Sequence, residues 1–518
     1  MNRQTFGDIV VTSHELATQA GLEMLGKGGN AVDAAIAANA TLGVVAPETC
    51  GIGGDLFALV HRSGDKKPVG LNASGWAGSG ANADHLTGYV IPITDPVSVT
   101  IPGCVRGWEW LSRDLGALPL DVVLGPAIFY ARNGFPVSVE LSKALTDRSE
   151  QLVPQSASRP LYREGSAPPP GTWINRPQLA TTLTRIASEG ASAFYEGTVA
   201  ADISAAVHRY ITIEDLAGYQ PDWVEPMSLD VFGHRAWTIP PNSQGYLTLA
   251  AARIFELCEP PTDPGDPDYV HLTIEAYRSV AGGRDALLSD PSTAAGHEEL
   301  LGTHLLEAAA ARIDRSRAGS WNHPSPGPGG TTYLSVVDRS GMGVSLIQSN
   351  FHGIGSGIGA GESGFFLHNR GAGFTLEKGH RNELVPGRRP AHTLAPSLWT
   401  QSDALSLILG TRGGNQQPQI LTQMAAHLLH AGLSPSAAQQ EPRWTTKSLV
   451  PGHPSTLSVE SRMLPAVVDE LRARGHHIEM GAPLEAGWGP VSAIRVNASG
   501  LRVGAGDPRV GTASAAVR

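Results

Sequence analysis

A single boundary constrains this chain more than any other part of it. Residues 315–330 read Arg-Ser-Arg-Ala-Gly-Ser-Trp-Asn-His-Pro-Ser-Pro-Gly-Pro-Gly-Gly, the composition of a flexible linker. At Thr331 the character changes at once. Tyr333 to Asp338 reads as a strand, Arg339 to Gly343 as a turn and Val344 to Ser349 as a second strand, which predicts a hairpin. With the turn centred near Ser340 and Gly341, Thr331 faces about Asn350 and Tyr333 faces about Gln348. A flexible arm ending in Gly330 is thus delivered to the head of a rigid strand pair.

Backbone attack by a side chain needs three things. It needs a hydroxyl beside a peptide carbonyl, a small preceding residue so that the backbone bends, and a rigid platform. Gly330-Thr331-Thr332 supplies all three. Attack of Thr331 Oγ on the Gly330 carbonyl forms an ester that water hydrolyses, leaving a large chain 1–330 and a small chain 331–518. The freed α-amino group of Thr331, with an ordinary pKa of about 7.7–8.0, suits a general base near neutral pH. One residue then holds both nucleophile and base. Taken alone, Gly-Thr-Thr reads better as the plain start of a strand, because Thr is a common strand former.

The rest of the chain supports a layered protein. Ser13 reads as the N-cap of a helix over His14–Lys27, whose apolar positions recur at helical spacing before Gly28 and Gly29 stop it. Asn30 reads as the cap of a second helix, with Asp33 near its positive end. That helix is small and apolar through Leu42, as a buried helix is. Two buried helices before Gly-rich strands indicate an α/β layered arrangement. Segments around 104–150, 178–206 and 267–288 read as helical, and 151–176 as loop.

Composition excludes several classes. The 518 residues allow roughly 2–4 domains. A net charge of -10 argues against a nucleic-acid partner. Cys50, Cys104 and Cys258 form neither a disulfide framework nor a CxxC metal site and read as small buried thiols. The first residues carry no apolar leader and no run of about 18 apolar residues occurs, so no membrane is expected and a cytoplasmic location is. There is no GxSxG, no dinucleotide fingerprint around Gly51-Ile52-Gly53-Gly54 and no phosphate loop. His427 and His430, one helical turn apart, and the adjacent His476 and His477 read as solvent-facing, so neither metal nor cofactor is expected.

Ordered motifs run through nearly the whole chain: Thr12-Ser13-His14-Glu15-Leu16-Ala17, Gly28-Gly29-Asn30-Ala31-Val32-Asp33-Ala34-Ala35, Gly51-Ile52-Gly53-Gly54-Asp55 and Pro240-Pro241-Asn242-Ser243-Gln244-Gly245. After them come Thr331-Thr332-Tyr333-Leu334-Ser335-Val336-Val337-Asp338, Gly359-Ala360-Gly361-Glu362-Ser363-Gly364, Arg412-Gly413-Gly414 and Gly506-Asp507-Pro508-Arg509. Each is weak alone; their order and spacing together are specific. The chain resembles the γ-glutamyltransferase superfamily of N-terminal-nucleophile hydrolases. The resemblance implies an α+β fold, a four-layer αββα sandwich, with self-cleavage between Gly330 and Thr331. It implies Thr331 as nucleophile, Ser349 as the residue that positions it, and Gly413 and Gly414 as donors to the oxyanion. It also implies a heterodimer of the large and small chains, with a dimer of heterodimers as the next level of assembly it allows, acting on a small-molecule amide.

The departures from the family pattern concern the substrate. The family commonly has an Arg in the segment matching Ser74-Gly75-Trp76-Ala77, where this chain has Trp76 and no Arg. The family Asn after the positioning residue becomes Phe351, next to Asn350. The groups that contact a glutamyl ammonium fall at Arg370 and Gly373, and a Ser-Ser pair that contacts its carboxylate falls at His392-Thr393. Arg370 would repel an ammonium and welcome a carboxylate. Arg370, Phe351, Asn350, His392, Thr393 and Trp76 are therefore the expected substrate-contacting set. The segments His392 to Pro396 and Gly410 to Gln419 resemble the acylase branch, which includes glutaryl-cephalosporin acylase-like proteins and oxamate amidohydrolase. Hydrolysis of a small carboxylate-bearing amide is expected. The alternatives are a genuine γ-glutamyltransferase or glutathione hydrolase, and an uncleaved, inactive binding protein. Roles for Thr332 and Tyr333 stay open.

Overall fold

Alternation along the strands sorts the core into layers. In Asp55–His61, Leu56, Ala58 and Val60 point one way while Phe57 and Leu59 point the other. In Gly330–Val337, Leu334 and Val336 oppose Tyr333 and Val337 in the same manner. The first set packs on helices Glu15–Gly26, Ala31–Val45 and Cys104–Leu115. The second set meets Trp237, Leu398, Ile408 and Ile494 of another sheet. The far face of that sheet, with Trp399, Leu407, Leu409 and Ala493, packs on helices Tyr246–Leu257 and Gln417–Ala425. Helix, sheet, sheet, helix is the four-layer αββα sandwich that the family resemblance implies. The computed structural model describes residues 1–294, 296–320, 330–446 and 456–518.

Each central sheet has seven antiparallel strands among these residues. The first runs, in order, Ser514–Val517, Ile9–Thr12, Gly330–Val337, Gly343–Phe351, Asp55–His61, Val69–Ala73 and Asp222–Val224. Strands from before and after residue 330 alternate in it. The second runs Arg3–Thr5, Arg502–Ala505, Val491–Val496, Ala404–Thr411, Ser397–Gln401, His234–Thr238 and Met227–Val231. A smaller sheet, Trp444–Thr446, Thr456–Glu460 and His477–Gly481, carries helix Pro465–Ala473.

The first helix starts one residue later than expected. His14 is its N-cap, with Nδ1 accepting from Leu16 N at 3.2 Å, while Ser13 Oγ lies 3.4 Å from Thr332 Oγ1. The second helix has the capping box expected of Asn30 and Asp33, and every residue of it is buried. The middle segments are helical over Cys104–Leu115, Gly125–Asn133, Val139–Asp147, Pro177–Glu189, Gly197–Ala206 and Pro267–Ala281. The 151–176 stretch holds a short 3-10 turn, Ser156–Leu161, and a two-residue strand, Trp173–Ile174. Cys50 and Cys104 are buried and Cys258 is half-buried. Residues 321–329 of the expected linker lie outside the described residues.

The histidine expectations need correction. His427 is buried and His430 half-buried, because the helix Gln417–Ala425 continues through a π turn, Ala426–His430, against Tyr269 and Phe255. His476 is buried too, with Nε2 2.8 Å from His271 Nδ1. Neighbouring layers, invisible to local periodicity, cover both.

Candidate active site

The hairpin register explains why Thr331 differs from its neighbours. Thr332 pairs with Gln348 and Tyr333 with Ile347, one residue off the expected register, whereas Gly330 pairs with Phe351. The shift is a bulge that leaves Thr331 unpaired and turns its side chain to Ser349. Thr331 is only 1% exposed. Its Oγ1 lies 3.0 Å from Ser349 Oγ and 2.8 Å from the Gly330 carbonyl oxygen. Ser349 Oγ accepts from Phe351 N at 2.7 Å and donates to the Gly330 oxygen at 2.5 Å. A β-carbon on Gly330 would stand 2.7 Å from Gly353 N and 3.0 Å from the Glu48 oxygen, so only glycine fits there.

The loop before strand Asp55–His61 cradles this hairpin. Thr49 Oγ1 lies 3.1 Å from Thr332 Oγ1, and Asn350 Nδ2 donates to the Pro47 oxygen at 3.3 Å. Asn350 thus ties the hairpin to the loop around Pro47, and its Oδ1 has no hydrogen-bond partner among the described residues. Tyr333 is a core residue between the sheets, its hydroxyl 2.7 Å from Ser345 Oγ. Burial pushes the Glu48 carboxyl up to about 7, opposed by Arg412 and Arg176.

The strand end leads directly to Arg370. Phe351 has φ +74, a costly conformation for a bulky residue. The Arg370 guanidinium sits 3.4 Å from the centre of its ring. Arg370 is 3% exposed, donates from Nη1 to Thr393 Oγ1 at 3.2 Å, and has no hydrogen-bond partner for Nε among the described residues. Burial pushes it down to about 9, with Asp55 opposing that and Arg284 adding to it. Gly373 makes room for it, because a β-carbon there would lie 2.3 Å from Arg370 Nη2.

Thr393 leads on to the glycine turn. Gln244 Nε2 donates to the oxygens of both Thr393 and Gly414 at 2.9 Å, and Gln244 Oε1 accepts from Arg284 Nε at 2.9 Å. Gly413 and Gly414 are buried, with φ +138 and +56, and lead into helix Gln417–Ala425. Positive φ at both is the conformational reason for the pair. Thr331, Ser349, Phe351, Arg370, Thr393, Gln244 and Gly414 therefore form one continuous chain of contacts.

His392 and Trp76 sit differently. His392 Nε2 donates to Asp55 at 3.0 Å, and Nδ1 accepts from Leu394 N at 3.3 Å, so both ring nitrogens are engaged within the protein. Burial pushes His392 down to about 4, against the pull of Asp55. Trp76 packs on Tyr219 with ring centres 5.0 Å apart, and the Arg389 guanidinium lies 5.5 Å from its ring centre. An arginine remote in sequence thus reaches the segment that lacks one of its own. Asp55, Gln244 and Arg284 carried no sequence signal for the positions they hold. The first two stood inside motifs without an assigned role, and Arg284 needs the tertiary fold to be seen.

Known proteins resemble this chain over almost its whole length. The family described as gamma-glutamyltranspeptidase matches residues 17–517. A glutathione hydrolase-like proenzyme of Bacillus subtilis is 35% identical over 98% of this chain and 98% of its own. An oxamate amidohydrolase proenzyme of Klebsiella pneumoniae is 35% identical over 99% of each. The crystal structure of a cephalosporin acylase from Bacillus halodurans superposes with a TM-score of 0.91 at 33% identity, covering 100% of this chain and 96% of that one. No helix among the described residues is long and apolar enough to cross a membrane. With the four-layer fold, the motifs in order and the family match over almost the whole length, the chain belongs to the γ-glutamyltranspeptidase family of N-terminal-nucleophile amide hydrolases.

Proposed function

We propose that this protein cleaves itself between Gly330 and Thr331 and then hydrolyses a small amide whose acyl part carries a free carboxylate. The observation that carries the substrate class is Arg370, a buried cation beside the nucleophile strand with no carboxylate hydrogen-bonded to it among the described residues. Burying a charge costs free energy unless a counter-charge arrives. A substrate carboxylate is that counter-charge, and a glutamyl ammonium is its opposite.

In the self-cleavage step, Thr331 Oγ1 passes its proton to Ser349, and Ser349 donates its own to the Gly330 oxygen. Thr331 Oγ1 bonds to the Gly330 carbon, and the C–N bond then breaks as the Gly330 hydroxyl reverts to a carbonyl and its proton goes to the leaving amine of Thr331. Water hydrolyses the ester. In turnover, the α-amine of Thr331 accepts the Oγ proton as Oγ attacks the substrate carbonyl, and Gly413 and Gly414 N–H groups face the developing oxyanion. The leaving amine takes that proton, and water releases the acid. The amidohydrolase and acylase names of the two similar proteins support the class.

Intact mass of the wild type and of Thr331→Ala tests the first step, with two fragments split at 330–331 expected from the wild type alone. Matched anilides of glutaric acid and of γ-linked glutamate test the second. Preference for the glutaryl compound is expected, and equal or reversed rates refute the carboxylate reading.

A further inference from the structure

The outer face of the second sheet ends in a cavity of about 460 Å³, past the point where the π turn Ala426–His430 stops covering it. Register partners Gln4, Val503 and Arg495 form a row along its floor, and residues 432–435 form a wall. His234 and Ser406 close another side. Ser406 lies about 17 Å of extended chain before Thr411 on strand Ala404–Thr411, so the cavity is remote from the glycine turn. No Asp or Glu lines it, although the chain carries 48 acidic residues against 38 Lys and Arg.

Two side chains give this cavity its chemistry. The Arg495 guanidinium forms no ion pair among the described residues. Its Nη1 alone is engaged, by two long bonds of 3.4 Å to the Gly432 and Leu433 oxygens. Arg495 and His234 are half-buried, and their unbonded nitrogens stay open to solvent. A bulge sets the state of His234. Thr400 pairs with Leu405 and Trp399 with Leu407, which leaves Ser406 unpaired. The Ser406 hydroxyl donates to the Trp399 oxygen at 3.1 Å, so its Oγ accepts from His234 Nδ1 at 2.9 Å. Neutral His234 therefore holds its proton on Nδ1, and Nε2 is a lone pair free for a ligand. Burial, and then the Arg495 charge, hold His234 below the ordinary histidine range. The acids of the neighbouring turns are turned elsewhere. Asp230 pairs with Arg235 at 2.6 Å, and Asp403 lines the adjoining groove with His61.

We propose that this cavity binds a phosphate monoester and takes up a proton at His234 as it does so. The phosphate receives the free N–H groups of Arg495 as a fork. His234 gains a proton from solvent at Nε2 and donates it to another phosphate oxygen. The organic part lies over Pro435 and Val503. Arginine with protonated histidine presents two positive charges, which match a dianion and exceed what one carboxylate neutralises. The anion also cancels the repulsion between the two cations, so binding and protonation favour each other.

Calorimetric titration of phenyl phosphate into the full chain at pH ~7.5 and fixed ionic strength, in two buffers of different ionisation enthalpy, tests this. One saturable site with Kd of about 1 mM or tighter is expected, with protons taken up on binding. Benzoate, with the same ring and a single charge, is expected to bind at least about tenfold more weakly. Arg495→Gln is expected to weaken phenyl phosphate about tenfold and His234→Gln to abolish the proton uptake. Arg370→Met, which removes the cation at the catalytic end, is expected to leave both unchanged. Absence of saturable binding up to about 10 mM, benzoate binding as tightly as phenyl phosphate, or unchanged affinity in Arg495→Gln would overturn the proposal. So would loss of the site in Arg370→Met, or proton uptake that persists in His234→Gln.

Discussion

Replacing Arg370 by methionine separates what this residue does for the fold from what it does for substrate. The fall of its pKa from an ordinary 12.5 to about 9 corresponds to about 5 kcal/mol of unfavourable charge burial, at ~1.4 kcal/mol per pH unit. Methionine removes that cost. It also removes the stacking on Phe351, worth about 2 kcal/mol when desolvated, and the bond to Thr393, worth about 1 kcal/mol. The substituted protein is therefore expected to be more stable by about 2 kcal/mol, read from urea unfolding in a Thr331→Ala background where the chain stays whole. Substrate recognition is expected to move the other way. Losing a buried charge partner costs about 3 kcal/mol, so kcat/KM for a glutaryl anilide falls about 10²-fold. The methyl ester of the same substrate, having no carboxylate, is expected to lose almost nothing. A less stable protein whose acid-to-ester preference is unchanged would refute the reasoning and make Arg370 a structural cation.

Other outcomes follow from the same geometry. Gly330→Ala is expected to yield an uncut chain by intact mass, because its β-carbon meets Gly353 N at 2.7 Å. Ser349→Ala is expected to slow self-cleavage about 10²-fold on a gel time course, since the Gly330 oxygen loses a donor. Gly373→Ala pushes on Arg370 Nη2 and is expected to raise KM for carboxylate substrates with little change in self-cleavage. Burial pushes His14 and His392 down to about 4 and His427 to about 3. In these cases the unfolded chain binds protons that the folded chain does not, so stability is complete above pH ~6.5 and lost as pH falls toward about 4. A urea midpoint independent of pH across that window would contradict those burial environments.

Much of this was legible in the sequence because it is local. The buried second helix declared itself through Asn30, Asp33 and an unbroken run of small residues, and the hairpin through its turn. The register at Thr331 was not legible, because a bulge costs one residue of pairing and leaves no mark in a strand pattern. The burial of His427 and His476 was hidden for a related reason. Helical spacing reports which residues share a face and not what packs on it. The surroundings of Arg370 lay still further out of reach. Gly373, Phe351 and Thr393 come from separate segments, and only the folded chain shows that a missing β-carbon and a stacked ring leave room for a cation.

The alternation of strands in the first sheet has a consequence for the cut proposed at the 330–331 bond. Ile9–Thr12 lies between Ser514–Val517 and Gly330–Val337, so each product chain completes the other's hydrogen bonds. Neither fragment owns a whole sheet or a whole core. Unfolding then releases two molecules, and refolding becomes a second-order encounter between chains with exposed strand edges. Cutting converts a fold that is reached by equilibrium into one that persists by its slow unfolding. The uncut Thr331→Ala chain should refold from denaturant at a rate independent of concentration, and the processed protein should recover only through dilution-sensitive reassembly, if at all.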